Sequence, residues 1–176
     1  MSDSRIEDLR RRVQRDPSSI AFAQLAEEYR RAGYFQDAID VCYDGLVRHP
    51  GYASARVTLG RALIQLDRLD EAKVELERAL QTAPDNLAAI RGLAHIHQRR
   101  GLLDDALAQY RAALLLAPND PELGQTIMQL SREIASREAS ISSSTAADEH
   151  DRAARTVAAL EHWLDAIHVA RTDSGA

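Results

Sequence analysis

Apolar residues along this chain recur at helical spacing, in segments of about a dozen residues separated by short polar turns. In the first clear example the periodic runs are Ile20 to Arg31 and Gln36 to Arg48, joined by "AGYF" and ended by Pro50. Gly33 in that join is suited to a left-handed helix end, and Pro50 cannot continue a helix, so the pattern predicts a helix hairpin. The same frame returns: "GYFQDAIDVCYDGLVRHPGY", "DRLDEAKVELERALQTAPDN" and "GLLDDALAQYRAALLLAPND" begin at Gly33, Asp67 and Gly101, 34 residues apart. Pro50, Pro84 and Pro118 keep that step, as do Ala38, Ala72 and Ala106, and Leu46, Leu80 and Leu114. Asp67 stands where the other two units use glycine, a tolerable change because Asp also favours turns. A hairpin this short cannot cover its own apolar stripe, so the three units are expected to stack on one another.

Outside the repeats the pattern changes. Ile6, Leu9 and Val13 form a stripe ending at Asp16-Pro17, which predicts a capping helix within residues 1–17. The basic run Arg10 to Arg12, with Arg15, reads as the solvated face of that helix in preference to a membrane-surface contact. The three units follow at about 19–52, 53–86 and 87–120, within 18–118 by proline frame, and Pro121 to Glu138 predicts a second capping helix bearing Leu123, Ile127, Leu130 and Ile134. The Ser- and Thr-rich stretch from Ser140 to Thr145 predicts a flexible linker over 139–150. From 151 to 171 an amphipathic helix is expected, with Val157, Leu160, Leu164 and Ile167 on one face and Trp163 beside them.

Composition narrows the class. Of 176 residues, 45% are apolar and only 5% aromatic, so the core must be built from Ala and Leu, which favours an all-α fold. The net charge of −5 argues against a nucleic-acid partner, which needs a clustered basic surface. The lone Cys42, set among apolar neighbours, reads as a buried thiol, and the chain carries no apolar run of membrane-spanning length and no signal-like leader. A reducing, cytoplasmic setting is the expectation.

Leu25-Ala26, Tyr29, Gly33, Ala38, Leu46 and Pro50, with their partners one and two periods on, resemble the tetratricopeptide repeat. The resemblance covers the three central units and implies a helix-hairpin solenoid, a right-handed superhelix; the C-terminal amphipathic helix lies outside the repeat frame. Three positions depart from it: Gly45 replaces the alanine seen at Ala79 and Ala113, Arg56 replaces a bulky apolar residue, and His97 replaces Tyr29. Loosened local packing is expected there.

Such proteins bind peptides or helices on a concave face lined by the first helix of each unit. By frame this face holds Ile20, Ala23, Gln24 and Glu27, then Ser54, Val57, Thr58, Arg61 and Ile64, then Ala88, Arg91, His95 and Gln98. The mixture of apolar and basic groups implies a partner with an acidic or amphipathic segment. The Lys and Asn clamp used by chaperone-binding members is absent: its places carry Ala23, Glu27, Thr58, Ala88 and Gly92. Catalysis and metal binding are not expected. His95 and His97 point to opposite sides of a helix, His162 and His168 have no matching ligand pair, and there is no phosphate-cradling loop and no cysteine pair. The reading is a non-catalytic, cofactor-free adaptor whose own tail helix (Val157, Leu160, Trp163, Leu164, Ile167) docks in or gates the groove. The alternative is an assembly unit forming homo-oligomers by end-to-end stacking or tail swapping.

Overall fold

The computed structural model describes residues 2–173, with the side chains of 2, 3, 146, 147, 161, 162 and 164–173 excepted. Among the described residues every regular element is an α-helix: α1 (Ser2–Arg15), α2 (Ala21–Arg31), α3 (Phe35–Arg48), α4 (Ala53–Gln65), α5 (Leu69–Thr82), α6 (Leu87–Arg99), α7 (Leu103–Leu116) and α8 (Pro121–Asp173). The chain divides into two compact units, Met1–Leu130 and Ser131–Ala176. In the first, α2 with α3, α4 with α5, and α6 with α7 form three stacked antiparallel hairpins of a helical solenoid, and α1 packs on α2.

The turns inside the hairpins explain the repeat's glycine. Gly33 and Gly101 adopt φ +85° and +74°, and Asp67 adopts φ +61° at the matching place. In each case the next amide reaches back five residues, Tyr34 to the Tyr29 carbonyl, Arg68 to Leu63 and Leu102 to His97, closing the helix end in a Schellman pattern. Asp supports the left-handed turn at a small steric cost because its short polar side chain tolerates that region. Between units, Asn86 caps α6 by accepting from the Ala89 amide at 3.0 Å, and Asp120 caps α8 by accepting from Glu122 at 2.9 Å and Leu123 at 3.3 Å.

Small residues let the helices approach. Ala26, Ala38, Ala72, Ala79, Ala106 and Ala113 are fully buried, and large side chains fill the spaces between them. Leu76 of α5 enters notches left by two glycines: a Cβ on either Gly60 or Gly92 would lie 2.7 Å from it. One leucine therefore knits the second hairpin to the third. Gly45 has a comparable cause, since a Cβ there would sit 2.0 Å from the Phe22 ring. The expected loosening at Gly45 is absent, because the larger Phe22 occupies the volume that an alanine would have used.

Arg56 also fails to loosen the stack. Its guanidinium bonds the Pro50 carbonyl through Nε at 3.0 Å and Nη2 at 2.5 Å, and pairs with buried Glu75 at 2.5 Å. Glu75 is held from its other side by Arg78 at 2.7 Å. At His97 the third departure leaves a buried Nδ1 without a hydrogen-bond partner among the described residues.

The larger difference lies in α8. The segment 139–150, expected as a linker, is helical. Its hydroxyls turn back onto the helix: Ser140 donates to the Ser136 carbonyl, Ser143 to Ser140 and Thr145 to Ile141, each at 2.9 Å. No glycine or proline lies between Gly124 and Gly175 to stop the helix. Leu123 and Leu130, at the start of α8, are buried in the first unit, in frame with Ala89 and Ile96 one period earlier.

Candidate functional site

The first helices of the three hairpins, α2, α4 and α6, present a common wall with two adjoining cavities. One, of about 650 Å³, is lined by Arg30, Arg61, Ile64, Leu87, Arg91, His95 and Tyr110, with Glu122 and Thr126 from the first turns of α8. The other, of about 520 Å³, is lined by Arg5, Ala23, Gln24, Glu27, Arg31, Val57, Thr58 and Arg61. Arg61 and Ala88 border both. Helical rise explains the grouping: residues three and four apart on each first helix share one face, and a 34-residue period repeats that face on the next hairpin.

Most residues expected on this wall are there. Ala23, Gln24, Glu27, Val57 and Thr58 line the smaller cavity, Ile64, Arg91 and His95 the larger, and Arg61 the border. Ile20 and Gln98 line neither. Ile20 precedes the first turn of α2 and is 53% exposed, while Gln98 accepts a hydrogen bond from the Tyr110 hydroxyl at 3.2 Å. Arg30 and Arg31 were missed, although stepping back one period from Ile64 and Gln65 gives these two positions.

Electrostatics divide the arginines by role. Glu27 accepts from Arg30 Nε at 2.9 Å and Nη2 at 2.7 Å, from Arg31 Nε at 3.1 Å and from the Thr58 hydroxyl at 3.3 Å. These bonds, chiefly from Arg30, hold its carboxyl down at a pKa of about 2 against the penalty of burial. Arg91 pairs with Asp120 at 2.9 Å and Glu122 at 2.5 Å. It therefore ties α6 to the start of α8 while lining the larger cavity. Arg99 likewise bonds the Ile64 carbonyl at 2.8 Å and Asp67 at 3.0 Å. Arg61 differs: among the described residues no carboxylate stands within ion-pair distance of it. Burial first, then the positive charges of Arg30, Arg91 and Arg31, push its pKa down, and Glu27 only partly offsets them. His95 is also pushed down, by burial and by Arg99, so it is neutral at pH 7.

Val57 and Ile64 are buried in the wall, and Leu87 and Ala88 are half-buried. The site thus joins a basic centre to apolar flanks. Among the described residues no group of His, Cys, Asp and Glu has metal-binding geometry. Cys42 lies away from the wall, and burial pushes its thiol up to about 12, which leaves it protonated and unreactive.

Val157, Leu160 and Trp163 are 55%, 55% and 60% exposed, and the side chains of Leu164 and Ile167 lie outside the described residues. No helix among the described residues is long and apolar enough to cross a membrane.

Comparison with known families matches residues 29–78 and 72–129 to the tetratricopeptide repeat. The chain belongs to the tetratricopeptide repeat family. A curated relative, the uncharacterized protein y4yS of Sinorhizobium fredii, is 38% identical over 80 residues, 46% of this chain; the match spans 44% of that relative's length. Among solved structures, MamA superposes with a TM-score of 0.70 at 22% identity, over 78% of this chain and 81% of that one. The first tetratricopeptide domain of Spaghetti (RPAP3), solved bound to the HSP90 peptide SRMEEVD, gives a TM-score of 0.64 at 18% identity, over 68% and 94%. At these identities the likeness speaks to the fold of the tetratricopeptide unit, and its wall differs in residue content from a Lys and Asn clamp.

Proposed function

We propose that this protein is a non-catalytic adaptor that binds a peptide or helix of a partner protein along the wall of α2, α4 and α6, and that the bound segment is acidic or amphipathic. The observation that carries this reading is the pair of adjoining cavities with apolar flanks on either side of Arg61, which lines both and has no ion-pair partner among the described residues. Family membership supports a protein-interaction role in general. The RPAP3 neighbour, solved with a peptide containing two glutamates and an aspartate, supports an acidic peptide ligand by fold analogy. A cytoplasmic setting agrees with the buried, protonated Cys42.

The test is capture of partners on the immobilised chain, followed by titration of a purified partner segment against wild type and Arg61→Glu. Binding lost in the variant at an unchanged melting temperature supports the reading. Equal binding by the two proteins, or turnover of a substrate that depends on a wall residue, ends it. Arg91 is a poor probe, because its removal also frees Asp120 and Glu122.

The exposed stripe Val157, Leu160 and Trp163 favours a second reading, in which the tail helix pairs with another copy or closes over the groove. Trp163, the only tryptophan, reports either event: sedimentation as a concentration-independent monomer together with a water-exposed emission maximum removes both forms.

A further inference from the structure

We propose that the tail of α8 from a second copy of this chain docks on the start of α8 and completes a fourth hairpin there, each copy giving one tail and receiving one. The proposal rests on the second reading above, which it makes specific, and is independent of what binds along α2, α4 and α6.

The start of α8 is a first helix without its second. Leu123 and Leu130 are buried in frame with Ala89 and Ile96, but two positions between them break the rule. Ile127 follows Leu59 and Leu93 in the frame, and Met128 follows Gly60 and Ala94, all four of them buried. Ile127 is only half-buried, and Met128 is 55% exposed. Gly60 shows which cover is missing: a Cβ there would lie 2.7 Å from Leu76 and 3.4 Å from the Ala72 carbonyl oxygen, both on the second helix of its own hairpin.

Second helices in this chain share a pattern of two small residues seven apart with a large apolar residue four after the first. It reads Ala38-Ile39, Cys42, Gly45-Leu46 in α3 and Ala106-Leu107, Tyr110, Ala113-Leu114 in α7, and α5 keeps it with Lys73 after Ala72. One period after α7 the pattern is lost, because Ser140, Ser144 and Asp148 take the places of Ala106, Tyr110 and Leu114. It returns out of step in the tail, as Ala159-Leu160, Trp163, Ala166-Ile167, with Leu160 and Trp163 exposed. The missing cover and an unused second helix are thus both present on α8.

The occupant follows by elimination. α1 carries the same pattern as Arg5-Ile6, Leu9, Arg12-Val13, but arginines stand at both small positions, where alanine allows two helices to meet closely. End-to-end stacking of α1 on α8 is therefore disfavoured, whereas the tail keeps alanine at both. Between the start and the tail of α8, no residue from 125 to 174 is a glycine or proline, and residues 139–150 are helical, so a second copy supplies the tail. Transposing the contacts of Gly60 sets Met128 of one copy beside Ala159 and Trp163 of the other, antiparallel as in the three complete hairpins. The exchange is reciprocal and closes at two copies. Two such short contacts lie at the small end of specific interfaces, which corresponds to a Kd of about micromolar order.

The experiment uses the full chain, whose native Cys42 is buried and protonated. Sedimentation across the micromolar range is expected to show a monomer–dimer equilibrium, with Trp163 emission moving to shorter wavelength as the dimer forms. Met128→Glu and Leu160→Glu, both at exposed positions, should each weaken dimerisation by about tenfold or more and leave the melting temperature of the dilute protein unchanged. Met128→Cys and Leu160→Cys proteins, mixed under mild oxidation, should form a disulfide with each other, while neither links to itself. Leu160→Cys linking to itself sets the tails side by side in parallel; that result, or a dimer in which the mixture does not link, overturns the fourth hairpin and leaves the second reading standing. Oligomers that grow beyond two copies also overturn the reciprocal exchange. A monomer at every concentration removes the proposal together with the second reading. Binding of a partner segment along the wall, measured on the Leu160→Glu protein, is expected to match wild type, so the groove reading stands or falls separately.

Discussion

At the scale of single residues, the contacts that matter most are those in which one side chain occupies space or charge that the repeat leaves open. Phe22 is such a case. Its ring stacks on His49 with centroids 5.8 Å apart and lies 5.9 Å from Tyr52, so it cannot step aside for a methyl group on Gly45. Gly45→Ala is expected to destabilise the protein by about 1–3 kcal/mol, the cost of overpacking, and Phe22→Leu in the same chain should recover most of it. Thermal melts of the two variants check this; an alanine that leaves the melting temperature unchanged contradicts the close approach. Glu27 supplies a pH dependence. Its folded pKa is depressed to about 2 from an ordinary 4.5, so its contribution to stability is fully present above pH 4.5 and is lost as pH falls towards 2. Acid unfolding of Glu27→Gln should accordingly be less steep over that window than that of wild type. The roles of these residues were only partly legible in the sequence. The frame put Glu27 and Arg61 on one wall, because a 34-residue period returns each position to the same face. Which carboxylate each arginine holds was not legible, since Asp120 lies 29 residues from Arg91 and only folding brings them together.

At the scale of the element, hairpin boundaries follow local rules, and for that reason they could be read in advance: the turn positions Gly33, Asp67 and Gly101 all adopt positive φ. Arg56 could not be read so easily. In the frame it looks like a polar gap in an apolar stripe, and its meaning depends on Glu75, 19 residues on in α5. Together they replace an apolar contact with a pair whose side chains are 14% and 8% exposed. Removing one partner of such a pair leaves a charge without compensation, whereas replacing both with apolar groups is often neutral or better. Arg56→Ile alone is expected to cost up to about 3 kcal/mol, moderated by Arg78, which still reaches Glu75. Arg56→Ile with Glu75→Val should return most of that, and a double-mutant cycle by denaturant unfolding measures the coupling. Additive losses across the cycle would show that the pair does not act as a unit. α8 teaches the opposite lesson about local rules. Ser and Thr clusters usually mark turns, but without a glycine or proline the hydroxyls can bond the preceding turn and leave the helix intact, as Ser140 and Thr145 do.

At the scale of the whole repeat array, each hairpin touches chiefly its neighbours, so stability is close to a sum of unit and interface terms. The middle hairpin, α4 with α5, contributes to both interfaces. Ala72 sits at its tightest point: it is fully buried, and its carbonyl oxygen would be 3.4 Å from a Cβ on Gly60 across the hairpin. On the same helix, Leu76 reaches both Gly60 and Gly92. Ala72→Leu therefore pushes α5 away from α4 and withdraws Leu76 from the notch in α6. The direct cost is about 1–3 kcal/mol of overpacking. The distribution of that cost is more informative than its size. In a nearest-neighbour array, damage at an outer hairpin lowers the protection of one interface, while damage at the middle hairpin uncouples both flanks. Native-state hydrogen exchange should show faster exchange in α2 with α3 and in α6 with α7 of the Ala72→Leu protein, beyond the loss within α4 and α5. Ala38→Leu, the same change one period earlier, should leave α6 and α7 nearly at wild-type protection. If both variants lower protection uniformly along the array, the hairpins unfold as a single cooperative block and the nearest-neighbour account is wrong for this chain. If only the second pattern departs from wild type, the middle hairpin is not the keystone that the reach of Leu76 implies.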